Sequence, residues 1–513
     1  MLEVRNLTIH IDKENRTIID NLSFTLNRGD KFAVIGLEGN GKSTLLKAIY
    51  NPQSLDYCDV KGVINIKGKV GYLPQTILEE WYDVPVYDYL LKEYPDSEIK
   101  LESYELLGKL DQVLTRLRFD SNLIDHNPKL NHFSGGELVK LGLAKILLHE
   151  PDLLLLDEPT NDLDLETIIF LENFILNEER PLLFVSHDEK LLENASNGII
   201  HLSLIHKKRK PTHEVVKMNY RDYKEFRKLA LDSQEMIARK QRADYKKKME
   251  RFRQIYSRVE AAQNQAVRNP STGRLLKKKI HALKSIERRL EKEKAEFLEI
   301  PEREEAIDLF FEEDVLIPKG KVVLDFYLAP LKINERILAQ EVKLYVQGDA
   351  KIAIIGKNGC GKSTLLKCIY DDLKNREDIS VGYMSQKYEE LFISNDSALH
   401  YVMKTSGVYD EARIRKIMGA LQFTREEMEN KTSQLSGGQK VKLLFLKMVL
   451  SKNNVLLLDE PTRNLSPLNA PVIHNLLLNY KGCVICITHD RKFLEEVFDE
   501  VYELTEKGLI KLI

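Results

Sequence analysis

The strongest constraint on this chain is that it carries one set of motifs twice. "GLEGNGKST" (Gly36–Thr44) returns as "GKNGCGKST" (Gly356–Thr364), and "GYLPQ", ending at Gln75, returns as "GYMSQ", ending at Gln386. "FSGGE" (Phe133–Glu137) returns as "LSGGQ" (Leu435–Gln439), "LLLLDEPT" as "VLLLDEPT", and "VSHD" as "ITHD". The offset is 302 for Ser134/Ser436, Asp157/Asp459 and His187/His489, 311 for the glutamines and 320 for Lys42/Lys362. A fixed order at nearly fixed spacing means two copies of one domain, with each early difference of nine read as a loop-length change. At 513 residues the chain has room for about three domains. The expected boundaries are 1–205 and 316–513 for the copies, with 206–315 between them.

Each copy has the residue types that phosphate chemistry needs. "KFAVIG" is a short apolar run that reads as a buried strand feeding a Gly-rich turn and then a helix. In that context the backbone N–H groups around Gly36, Gly39, Asn40, Gly41 and Thr44 face phosphates at a helix N-terminus. Lys42 reaches the β/γ-phosphates and Ser43 helps hold Mg²⁺. Gly356, Asn358, Gly359, Cys360, Gly361, Lys362, Ser363 and Thr364 repeat the arrangement. Downstream, the apolar strand Leu153–Leu156 ends in Asp157 and Glu158, and its repeat ends in Asp459 and Glu460. The aspartate can support Mg²⁺ through its water, and the adjoining glutamate can polarise an attacking water. An Asp-Glu pair at one strand end could be structural; the same pair after a phosphate loop twice is not.

Between the copies lies a charged helical stretch. There is no Gly or Pro from Lys217 to Val267, and Tyr245, Met249, Phe252, Tyr256 and Val259 recur at alternating spacings of four and three. That is a heptad seam, which Leu276, Ile280, Leu283 and Leu290 continue beyond a polar joint at 263–274. The joint holds Asn-Pro and Thr-Gly, so two helices folding back as an antiparallel hairpin are expected. His206–Glu299 carries 28 Lys plus Arg against 13 Asp plus Glu, about +15, which leaves about −17 for the rest. A near-neutral total therefore hides a basic arm between acidic bodies, a pattern that points to nucleic acid. A solvated coiled-coil spacer is the plain alternative, but spacers alternate sign, and Lys246–Lys248 and Lys277–Lys279 do not.

A composition of 43% hydrophobic and 30% charged residues fits a soluble globular protein, with no run long enough to span a bilayer. The start, "MLEVRNLTIH", lacks the apolar core of a secretory signal. The five cysteines make no disulfide framework. Cys483 and Cys486 form C-x-x-C, but on a strand, where side chains three apart face opposite ways.

The order of phosphate loop, glutamine loop, S-G-G signature, D-E-P-T and terminal His, twice, resembles the ATP-binding cassette superfamily. Tandem cassettes joined by a basic helical hairpin resemble its ABC-F branch, whose members act on the ribosome. The implied fold is α/β: two phosphate-loop cassettes joined by an antiparallel α-helical hairpin. The resemblance implies that the cassettes close head to tail on two ATPs within a monomer. Site one pairs Lys42, Ser43, Gln75, Asp157, Glu158 and His187 with the signature Ser436, Gly437 and Gly438. Site two pairs Lys362, Ser363, Gln386, Asp459, Glu460 and His489 with Ser134, Gly135 and Gly136. Ser43, Gln75 and Asp157, and likewise Ser363, Gln386 and Asp459, are the implied Mg²⁺ ligands.

The implied partner is the ribosome, with the tip near the peptidyl-transferase centre and the P-site tRNA. Arg268, Arg274, Lys277, Lys278 and Lys279 are expected to contact large-subunit rRNA, while Tyr220 and Tyr223 pack at the arm's base. The implied location is cytoplasmic, with no membrane contact. Glu137 replaces the usual Gln of the signature, and the second copy continues "RNLS" where the first has "NDLD". The run "EPTRNLSP" resembles the antibiotic-resistance members. For adenine stacking, His10 and Phe326 occupy suitable positions. A housekeeping translation factor, a transporter ATPase and a repair ATPase acting on nucleic-acid structure are alternatives. The sequence leaves open the drugs concerned, the balance of the two sites and the tip residue nearest a drug.

Overall fold

The computed structural model describes all residues except 13, 14, 100–104, 162, 206–209, 266–269, 296, 299, 300, 302–315, 393–395, 422, 464 and 513. They form two compact units: the middle, Arg221–Arg303, and the two ends of the chain together.

Within the larger unit each copy builds one six-stranded sheet. In the first the order is Val70–Leu73, Leu153–Asp157, Leu182–Val185, Lys31–Ile35, Gly198–Leu204, Lys210–Val216. In the second it is Val381–Met384, Val455–Asp459, Cys483–Ile487, Lys351–Ile355, Glu500–Thr505, Gly508–Lys511. Both sheets are parallel except for the last pair. The central strands are covered on both faces, which is why "LLLLD" and "VLLLD" are apolar without alternation and buried throughout. Leu45, Leu46 and Ile49 of the helix Lys42–Tyr50 pack on Leu153, Leu155 and Leu183, fixing the phosphate-loop helix to the sheet. Truncating one such leucine to Ala costs about 2–5 kcal/mol. Cys483 and Cys486 are both buried in their strand.

The nine-residue difference between phosphate loop and glutamine is a strand, not a loop. Cys58–Ile66 pairs antiparallel with Leu2–Ile11 at the edge of a three-stranded sheet. In the second copy no strand stands between the helix Lys362–Leu373 and the strand Val381–Met384. The inserted strand alternates, with Cys58, Val60, Ile64 and Ile66 facing the core.

The middle unit is built on the helices Tyr220–Gln265 and Pro270–Ala295. Phe252, Leu283 and Leu290 are buried together, with Tyr245, Met249, Tyr256 and Val259 packed against them. Lys248 pairs with Glu293 at 2.5 Å, and the Tyr245 and Phe297 rings meet edge-on at 5.5 Å. The joint is narrower than the expected 263–274: the first helix runs on to Gln265, and Asn-Pro and Thr-Gly do not break the second. Pro270 opens that helix, where its missing N–H is no loss and its fixed φ is already helical. Tyr220 and Tyr223 are buried.

Candidate nucleotide sites

The strand Lys31–Ile35 ends at a loop that only glycine can close. A Cβ on Gly36 would lie 2.3 Å from the Leu202 carbonyl oxygen. Gly41, at φ 88°, would drive one to 2.8 Å from Ile18. The helix that follows has no side-chain cap, and neither does its counterpart starting at Lys362, so the first-turn N–H groups face outward as an anion site. The Lys42 ammonium rests on the carbonyls of Gly36 (3.0 Å) and Leu37 (3.2 Å). Lys362 rests on those of Gly356 (2.7 Å) and Lys357 (2.9 Å). The Asn40 side-chain amide donates to the Leu202 carbonyl at 2.8 Å and ties the loop to the sheet.

Around Asp157 and Glu158 the expected residues converge. The Ser43 hydroxyl donates to Asp157 at 2.8 Å, and the Tyr72 hydroxyl does so at 3.2 Å. The Gln75 amide donates to Glu158 at 2.8 Å, Asn161 donates to the same oxygen at 2.6 Å, and His187 Nε2 lies 2.9 Å from the other. Burial alone would push the Glu158 carboxyl up; the hydrogen bond and charge of His187, then Lys42, outweigh it and hold it down at about 2. Burial pushes Asp157 up, with Ser43 opposing. Glu158 and Glu460 both sit in the left-handed region, at φ 47° and 51°. A strained backbone kept at the same place in both copies aims the carboxylate rather than relaxing it.

The first site is completed by the other copy. The Leu465 carbonyl lies 2.8 Å from His187 Nδ1, and the Ser466 N–H donates to Glu38 at 2.7 Å. These are the two ends of one peptide unit, gripped by the loop and the histidine of the first copy. Both partners of the His187 ring are acceptors, so it satisfies both only by donating from each nitrogen. Leu37, Gly39 and Asn40 share a cavity of about 200 Å³ with Ser436, Gly438 and Gln439. Ser436 caps the helix Gly437–Leu450. The family model described as ABC transporter matches residues 19–161 and 339–463, just over half of the chain.

The chain belongs to the ABC transporter family.

Its two cassettes are therefore ATPases. ABC transporter F family member 2 of Arabidopsis thaliana is 27% identical over 99% of this chain and 77% of its own length. The ATP-binding protein Uup of Buchnera aphidicola is 29% identical over 99% and 81%. These names support the F branch. Among solved structures, the archaeal ribosome recycling factor aABCE1, in complex with the ribosomal stalk protein aP1, has the same tandem fold. Its TM-score is 0.60 at 15% identity, over 99% of this chain and 90% of that one.

The second ABC site is built from the same parts but joined differently. His489 Nε2 is 4.0 Å from Glu460, and among the described residues neither buried ring nitrogen has a hydrogen-bond partner. Burial, then the Lys362 charge, pushes that ring down to about 4. Ser363 and the Gln386 N–H face Asp459 and oppose the upward push of burial, while among the described residues neither buried carboxylate oxygen has a partner in full hydrogen-bond geometry. Gln386, Asn358, Gly359 and Glu460 line a cavity of about 640 Å³, while Ser134, Gly136 and Glu137 line a separate one of about 330 Å³. Lys357 and Glu166 approach to 3.6 Å across the cassettes, and the Asn358 N–H binds Asp164. The "RNLS" departure thus has a structural counterpart. In site two the acceptor is Asp164 on the connecting loop; in site one it is Glu38 on the phosphate loop.

Glu137, where the signature usually has Gln, ties up the signature serine. Its carboxylate accepts both the N–H and the hydroxyl of Ser134 at 2.7 Å, occupying the group expected to meet phosphate. Gln439 accepts the Ser436 N–H at 2.9 Å and donates onward to Glu427. Gly135 and Gly437 each open the signature helix. Thr44 and Thr364 lie in the first turns of the phosphate-loop helices, and Cys360 is half-buried, its thiol pushed up by burial.

The donor sets suit a hard divalent cation. Ser43 and Asp157 present oxygens 2.8 Å apart, and Asp459 keeps two unmatched buried oxygens. His10 bonds Thr17 at 3.1 Å, and Phe326 packs against the core of its cassette. Arg274, Lys277, Lys278 and Lys279 are exposed on the second arm helix; Arg268 lies outside the described residues. Among the described residues no helix is long and apolar enough to cross a membrane. Tyr72, Glu38 and the Leu465–Ser466 peptide were not foreseen, although the repeated tyrosine of "GYLPQ" and "GYMSQ" signalled the first.

Proposed function

We propose that the chain is a ribosome-binding ATPase of the ABC-F branch that couples closure of its cassettes to insertion of its basic arm. The observation that supports closure of the cassettes is the Leu465–Ser466 peptide, held by His187 and Glu38 from the opposite cassette. On ATP binding, Lys42 and Lys362 exchange their own loop carbonyls for the β/γ-phosphates, and the loop and signature N–H groups meet phosphate oxygens. Glu158 and Glu460 polarise the attacking water; His187 and His489 address the γ-phosphate. Ser43, Asp157 and Gln75 in site one, and Ser363, Asp459 and Gln386 in site two, would hold Mg²⁺, which would neutralise phosphate charge. Hydrolysis then removes the γ-phosphate that both cassettes grip, and they part.

The arm is the partner-facing element. Arg274, Lys277 and Lys278 recur at helical spacing and are exposed, as a phosphate-contacting face requires. With the cassettes docked near the tRNA exit region, the tip at 263–274 approaches the peptidyl-transferase centre and P-site tRNA. The ribosome-bound ABCE1 has the same tandem fold, at a TM-score of 0.54. Protection of translation from drugs of that centre is the reading that "EPTRNLSP" favours; a housekeeping role in translation uses the same residues.

Sedimentation of the Glu158→Gln/Glu460→Gln form through a sucrose gradient with ATP tests the reading. It should run with ribosomes. Running with membranes supports a transporter ATPase, and running with neither supports a nucleic-acid repair ATPase. Minimum inhibitory concentrations in a drug-sensitive host, with and without the chain, separate protection from housekeeping.

A further inference from the structure

Behind the nucleotide sites the cassettes meet through the helices Glu189–Ala195 and Arg491–Val497. Lys492 pairs with Glu193 at 2.8 Å, and Lys190 pairs with Glu495. The internal offset of 302 exchanges these two pairs, so they are one contact made twice. A third contact is made only once. Arg491 meets Glu172 at 2.5 Å and donates to Asp188 at 3.1 Å, and all three side chains are largely buried. In the first cassette the place of Arg491 is taken by Glu189, which pairs with Lys492 at 3.1 Å. The place of Glu172 is taken by His474, which binds Asp490 and Glu496 of its own cassette at 3.4 and 3.0 Å.

Asp188 directly follows His187. Its carboxylate accepts the Leu191 N–H at 2.7 Å, and its own N–H donates to Ser186 at 3.0 Å, so it fixes the backbone on both sides of the bend. We infer that Arg491 of the second cassette is a positioning residue for site one, holding Asp188 and, through the adjoining backbone, the His187 ring against Glu158. This rests on the reading of Glu158 as the water-polarising residue.

The physical reason is the burial of the pair. Burial pushes the Asp188 carboxyl up, and Arg491 is the largest influence drawing it back. Without Arg491 a side chain only 9% exposed would keep its charge with no cation beside it. Such a group takes a proton or turns away, and either outcome loosens the bond to Leu191. At the same place in site two, Asp490 faces His474 of its own cassette at 3.4 Å, and among the described residues no cation of the first cassette pairs with it.

ATP turnover of the full chain in two backgrounds tests this: Glu460→Gln leaves site one active, and Glu158→Gln leaves site two. Arg491→Ala should lower kcat by about tenfold to a hundredfold in the first background, as a displaced reacting group does, with KM within about twofold. In the second background turnover should change by less than about twofold, the effect of a surface change away from the reacting groups. Arg491→Lys should restore most of the lost rate. Lys492→Ala breaks a cross-cassette pair without touching Asp188 and should leave the ratio of the two sites unchanged. Equal losses in both backgrounds, or a Lys492→Ala effect on the ratio as large as that of Arg491→Ala, would overturn the proposal: Arg491 would then merely hold the cassettes together. If Glu158→Gln alone leaves turnover at the parental rate, the reading of Glu158 fails, and the proposal with it, before Arg491 is changed.

Discussion

His187 of the first cassette and Leu465 of the second are joined by a hydrogen bond of 2.8 Å between Nδ1 and a backbone carbonyl, whereas among the described residues His489 has no hydrogen-bond partner at either ring nitrogen. Two histidines at the same motif position thus stand in different states of engagement. With only site one active (the Glu460→Gln background), His187→Ala should lower kcat by about a hundredfold, the scale of losing a positioned polar group at a reacting centre. With only site two active, His489→Ala should cost about tenfold or less, because no bond to Glu460 is lost. Steady-state phosphate release measures both, and equal losses would contradict the asymmetry.

Cys360 offers a chemical readout of site two. Its half-buried thiol has a raised pKa, and its sulfur would stand 3.1 Å from a Cβ placed on Gly356. Alkylation should therefore be slow at neutral pH and should block nucleotide binding at this site alone. ATP should slow labelling by at least about tenfold, because the loop backbone must approach the phosphates closely. Mass spectrometry of labelled chain with and without ATP decides it; equal labelling would remove Cys360 from the phosphate's neighbourhood.

Much of the architecture was legible because the chemistry is carried by short, contiguous, repeated strings. The residues of "GLEGNGKST" and "LLLLDEPT" announce strand, turn and helix by their own local requirements. What was hidden has the opposite character. The Glu38–Ser466 bond joins residues 428 positions apart, and its acceptor is an ordinary-looking glutamate inside the phosphate loop. Arg491 acquires meaning only beside Glu172 and Asp188 of the other cassette. The strand Cys58–Ile66 was readable in principle from its alternation, but Gly62 interrupts the pattern midway. A Cβ there would lie 2.7 Å from the Asn6 carbonyl, so the glycine answers to the neighbouring strand. At the arm's joint, Pro270 reads as a breaker yet serves as the first residue of a helix.

His489 also predicts a pH dependence. Its ring is held down to about 4 in the folded chain, against an ordinary value of 6.5. The unfolded chain therefore takes up a proton that the folded chain declines. This contribution to stability is fully present above pH 6.5 and is lost as pH falls toward 4, by up to about 3 kcal/mol. His489→Gln should flatten that fall. Denaturant midpoints at neutral and mildly acid pH measure it, and an unchanged acid dependence would place the sensitivity elsewhere.

The basic face of the arm should act electrostatically. Replacing Lys277, Lys278 and Lys279 with Ala should weaken ribosome binding most at low salt. Each lost phosphate contact should reduce the log–log salt slope by somewhat under about one unit, by analogy with duplexes. Shortening the joint between Gln263 and Arg274 should leave that slope unchanged while any drug protection falls. A filter-binding series across salt concentrations reads the first; a slope untouched by the triple substitution would exclude these lysines from RNA contact.

The most direct test of the central claim is a cryo-electron-microscopy map of the Glu158→Gln/Glu460→Gln form bound to ribosomes with ATP. The account predicts closed cassettes, nucleotide between Lys42 and Ser436 and between Lys362 and Ser134, and the arm's joint at the peptidyl-transferase centre beside P-site tRNA. A map with the cassettes closed on ATP but the arm directed away from ribosomal RNA, or no ribosome-bound form at all, would contradict it.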